Sequence, residues 1–87
     1  MKILELRNLQ REEGYIYYRR NFTADAVIEV PIKTIETPIS FSIEMGPTGN
    51  KEIEIEFGKT PDYPLVPVIK SLKEFILSAD TEGTLPL

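Results

Sequence analysis

No histidine, cysteine or tryptophan occurs in this chain of 87 residues. Without histidine there is no side chain poised to exchange a proton near neutral pH. Without cysteine there is no thiolate nucleophile, no disulfide and no thiolate zinc site. Serines at 40, 42, 71 and 78 therefore have no imidazole to activate them. Lys70 and Lys73 lie close in sequence to Ser71, but neighbouring helix positions diverge and no oxyanion-hole pattern accompanies them. The chain is read as non-catalytic, with no cofactor and no metal. Nor is there a secretory leader or an apolar run near the ~18 residues a membrane helix needs. Lack of cysteine fits a reducing compartment, so a cytoplasmic location is expected and no membrane partner.

What the chain does have is acid. Lys and Arg number 10 and Asp and Glu number 14, a net charge of −4. The balance shifts along the chain, from six basic and five acidic residues over 1–33 to four basic and nine acidic over 34–87. Such a domain repels bulk nucleic acid and lacks the basic footprint of a DNA binder. Eighty-seven residues with 41% apolar content make one small domain, 1–87, with a thin core and nothing covalent to staple it. Association with a second copy or another protein is an obvious way to add buried area.

The order of elements reads as strands first and one helix last. Ile3–Arg7 alternates loosely as a first strand, and Asn8–Gly14 reads as a turn. Aromatic Tyr15–Phe22 predicts a second strand. Ala24–Lys33 predicts a third, with Ala24, Ala26, Ile28, Val30 and Ile32 on one face and Pro31 marking an edge or a bulge. Thr34–Thr37, followed by Pro38, reads as a connection. Ile39–Met45 and Lys51–Phe57 both alternate apolar with polar residues around Gly46–Asn50, which predicts a hairpin with one buried face. After a loop, Leu65, Val68, Ile69, Leu72, Phe75, Ile76 and Ala79 form one helical stripe. Pro64 and Pro67 suit its first turn, Asp62 lies near its cap, and Asp80–Gly83 ends it. Residues 81–87 are expected to be a mobile tail. The sheet face and the helix stripe need each other, so the expected architecture is α+β, two layers, with an antiparallel sheet of four to five strands and one C-terminal helix on one face.

Function rests on fewer residues. In Gly14–Phe22, Tyr15 and Tyr17 share a face with Arg19, while Ile16 and Tyr18 share the other with Arg20 and Phe22. Ile16, Tyr18 and Phe22 are expected to fill the core. Tyr and Arg are the usual energetic centres of protein interfaces, so Tyr15, Tyr17, Arg19 and Arg20 are the candidate partner-binding residues. The favoured reading is a small non-catalytic interaction module, a homodimer or a subunit of an assembly, binding through this strand or a sheet edge. Single-stranded nucleic acid is the alternative on the same strand, since aromatics stack bases and arginines hold phosphate, though acidity disfavours it. A second alternative takes Glu52, Glu54 and Glu56, with Glu44 on the facing strand, as an enzyme or metal site. A flat row does not converge on one ion, however, and the ordinary role of such a row is a solvated face that discourages aggregation. The two glycines of Gly46–Asn50 lack the lysine and helix of a phosphate loop and serve a turn.

Overall fold

The computed structural model describes residues 1–13 and 18–86. Four strands, β1 (Lys2–Glu12), β2 (Arg19–Glu29), β3 (Thr34–Met45) and β4 (Lys51–Phe57), precede one helix, α1 (Leu65–Glu82). The strands form a single antiparallel meander in the order β1-β2-β3-β4, and α1 packs on one face, the expected two-layer α+β arrangement. The helix comes closest to the two outermost strands, β1 and β4, so the sheet curves around it.

The β3–β4 hairpin follows the alternation in the sequence. Ile39, Phe41 and Ile43 face the helix, directly opposite Phe57, Ile55 and Ile53. Gly46 and Asn50 close the turn, with the Gly46 N–H donating to the Asn50 carbonyl at 2.7 Å, and Gly49 takes φ 84°, a backbone conformation suited to glycine. On β2 the same parity puts Phe22, Ala24, Ala26 and Ile28 in the core. Phe22 lies opposite Phe41, their rings stacked with centroids 4.9 Å apart.

Three strand boundaries differ from the expectation, each for a local reason. The first strand continues to Glu12, through the segment read as a turn. It carries two register shifts, one between Ile3 and Glu5 and one between Arg7 and Gln10, and Asn8 sits there at φ 52°. Each bulge adds one residue and flips the parity of the strand beyond it. Core-facing residues on β1 are therefore Ile3, Leu6 and Leu9, three apart, a spacing that period two does not reveal. The two strands expected over Tyr15–Phe22 and Ala24–Lys33 are joined within one strand, β2, where Thr23 makes no break. That strand is internal, not an edge. Pro31 lies beyond it, at the corner of a tight turn in which Val30 and Lys33 exchange backbone hydrogen bonds, and Ile32 beside it is 95% exposed rather than in the core row.

Finally, Thr34–Thr37 and Pro38 belong to β3. The Pro38 carbonyl accepts from the Gly58 N–H at 2.9 Å, on the β4 side. In a strand one residue's N–H and C=O point the same way, so the donor Pro38 lacks faces the end of β4 and costs β2 nothing.

The helix buries Val68, Leu72 and Ile76. Pro64 is its N-cap and Pro67 its third residue, both among the four positions whose amides have no partner within a helix. Asp62 makes no cap, since no side chain caps this end. At the other end Gly83, at φ 74°, donates to the Asp80 carbonyl while Thr84 donates to that of Ala79, a Schellman closure. The expected free tail is partly helical and partly docked: α1 runs through Glu82, and Leu85 returns to the core at 7% exposure.

Candidate functional site

Of the four candidate residues, Arg19 and Arg20 open β2, while Tyr15 and Tyr17 lie outside the described residues. Alternation sends the two arginines to opposite faces, so they do not form one patch. Tyr18, expected in the core, is 47% exposed, and its carbonyl accepts from the Met45 N–H at 2.8 Å.

Arg20 points to the helix side. Its two terminal nitrogens meet both oxygens of Asp80 at 2.9 and 3.0 Å, a paired geometry that suits a guanidinium. Lys51 Nζ reaches the same carboxylate at 2.7 Å. The Asp80 side chain is 8% exposed. Its hydrogen bonds from Arg20 hold the carboxyl below the usual carboxylate range, helped by Lys51 and opposed by burial. This triad joins β2, β4 and the end of α1. A carboxylate in the last turn faces the negative end of the helix dipole, and α1 carries no basic residue there. The compensating cations come from the sheet. Arg20 is thus committed to holding the fold, and its role as an interface residue gives way to that.

Alternation and motif spacing do not single out Asp80, yet the sequence holds a signal for it. It continues the row Val68, Leu72, Ile76 at intervals of four, and a carboxylate on a buried stripe needs a cation. Arg20 likewise occupies an apolar-facing parity on β2, two residues before Phe22.

Arg19 points to the outer face. It donates to Ser42 Oγ at 3.3 Å and lies 3.7 Å from Glu54, while its Nε is buried with no hydrogen-bond partner. Around it is an open cleft of about 220 Å³ edged by Glu12, Asn21, Ser40 and Glu56. The carboxylate row is where the alternation put it, exposed on this face, with Glu44 directly opposite Glu52. Among the described residues no three acidic side chains converge to hold a metal ion.

The sheet ends in two open edges, and they differ. On β1 the edge is broken by the two bulges. The β4 edge is regular over seven residues. Asn50 and Gly58 both bond towards β3, so the even-numbered residues between them face β3 and the odd-numbered ones face outward. The backbone groups of Lys51, Ile53, Ile55 and Phe57 therefore form the free edge. Beside it, between β4 and α1, runs a groove of about 490 Å³ lined by Ile53, Leu77, Lys73 and Glu74.

Compared with known proteins, residues 1–81 match the profile of one family. The chain belongs to the BB-0187 family. Neither curated proteins nor solved structures give a match. Among the described residues of this BB-0187 family chain, no helix is long and apolar enough to cross a membrane.

Proposed function

We propose that the protein is a small non-catalytic interaction module of the cytoplasm, associating with another protein or a second copy through an edge of its sheet. The observation that carries this reading is the open sheet, whose outermost strands β1 and β4 each present one unpaired side. Strand edges with free N–H and C=O groups are templates for pairing with another chain. Arg19 supplies a rim cation on the outer face, and Tyr15 and Tyr17 remain the aromatic anchors that the sequence suggests. The nucleic-acid alternative is weakened because Arg20 is occupied by Asp80 and Arg19 stands among Glu12, Glu54 and Glu56, a setting that repels phosphate. The metal alternative has no converging carboxylates among the described residues to support it.

The test combines sedimentation velocity of the purified chain with capture from a nuclease-treated lysate of the source organism. A dimer, or a stoichiometric protein that survives nuclease, supports the module. In either case Tyr17→Ala is expected to weaken association at unchanged melting temperature. A monomer that retains no protein, or that retains only nucleic acid in an untreated lysate, refutes it.

A further inference from the structure

We propose that the β4 edge is a docking site for an extended basic peptide, which adds a fifth strand to the sheet with lysine or arginine at alternate positions. This rests on the interaction-module reading and specifies its edge and the chemistry of its partner. Three observations carry it.

The first is which edge is usable. Bulges and a positive-φ Asn8 interrupt the hydrogen-bonding row of β1, and such irregularities oppose strand addition. No bulge, proline or glycine interrupts β4, and Lys51, Ile53, Ile55 and Phe57 direct their backbone donors and acceptors outward. Among the described residues no other backbone group bonds to them.

The second is side-chain parity. A strand laid against β4 places alternate residues opposite Glu52, Glu54 and Glu56 on the outer face, and the others opposite Ile53, Ile55 and Phe57 on the helix face. The groove beside Ile53 and Leu77 receives the inward side chains. Leu77 is among the exposed large apolar residues of the helix.

The third is charge. Of the three glutamates only Glu54 has an ion-pair partner, Arg19 at 3.7 Å; Glu52 and Glu56 have none among the described residues. Opposite Glu52 on β3 stands another carboxylate, Glu44. A second copy does not satisfy this edge. Antiparallel pairing of β4 with itself conserves faces, so whichever register is chosen, glutamate meets glutamate or the strand ends, and like charges directly opposite destabilise a sheet. A partner with cations at every second position neutralises the row, and apolar residues between them fill the groove.

The experiment titrates the full chain, labelled with nitrogen-15, with a peptide alternating lysine and valine over the length of β4. The amides of Lys51, Ile53, Ile55 and Phe57 are expected to shift and gain protection from hydrogen exchange, with affinity falling as salt rises. A peptide alternating glutamate and valine is expected to leave them unchanged. The triple variant Glu52→Gln, Glu54→Gln and Glu56→Gln is expected to keep the parent melting temperature and bind the basic peptide about ten-fold more weakly.

The proposal is overturned if β4 amides do not respond, if a scrambled lysine–valine peptide acts equally, or if the response maps to β1. It is also overturned if the outward β4 amides are already protected in a dimer of the free chain. In that last case, or if a protein partner binds elsewhere, the interaction module survives and only the basic-peptide assignment fails.

Discussion

Replacing Asp80 with alanine removes the one anion that holds two cations at the end of α1. Cutting one partner from a fully buried ion pair costs about 3–5 kcal/mol. Here the stranded partners are not fully buried, since the side chains of Arg20 and Lys51 keep 29% and 27% exposure and can recover much of their hydration. The helix also sheds a carboxylate from its negative end, a gain of about 0.5 kcal/mol. The expected net loss is about 2 kcal/mol. For a domain this small a urea slope near 1 kcal/mol per molar is typical, so the midpoint should fall by about 2 M. Far-ultraviolet circular dichroism follows the transition.

The same residue sets a pH signature. Because the folded carboxyl lies below its ordinary value, Asp80 binds its proton less tightly in the folded chain than in the unfolded one. Its stabilisation is complete above the unfolded pKa of about 3.9 and is lost as pH falls through the folded value. The stability gap between parent and Asp80→Ala should therefore stay level from neutrality to about pH 5 and narrow below about pH 4. A cycle with Arg20→Ala should give a coupling of about 1–2 kcal/mol. A variant within about 0.5 kcal/mol of the parent at pH 7, or a gap that persists unchanged in acid, refutes the triad as a fastening of helix to sheet.

Two further substitutions probe how the chain closes after α1. Leu85→Ala should cost about 2 kcal/mol, the low end for a buried leucine, because a terminal segment can relax around the lost volume; a urea midpoint equal to the parent's would mean that the segment past Gly83 contributes nothing. Gly83→Ala should cost about 1 kcal/mol by the same assay. A Cβ there meets no atom within 4 Å, so the whole effect is the backbone at φ 74°, and a larger loss would point to a steric cause that the closure does not contain.

Faces were legible in the sequence wherever a strand was regular. Ile39–Met45 and Lys51–Phe57 show their buried and wet sides directly, and so does the stripe from Val68 to Ile76. Legibility failed where one extra residue changed the parity. Ile3, Leu6 and Leu9 are spaced three apart because two bulges intervene, and no alternation rule expects that spacing in a strand. Pro38 misled for a related reason. Proline is excluded from a central strand only where its missing donor faces a neighbour, and β4 ends just short of it.

The candidate site was less legible because it depends on pairs. Alternation is a property of one strand, and it correctly put Arg20 on the side of Phe22 and Arg19 on the other. It carries no information about what waits on each side. Arg20 finds a carboxylate sixty residues away in sequence, on a helix whose own composition offers no cation for its last turn. Arg19 finds glutamates that alternation shows only as one face of β4. Whether an arginine is available to a partner is decided by that second residue. For β2 the decision runs against Arg20, and it moves the search for an interface from this internal strand to the unpaired edge of β4.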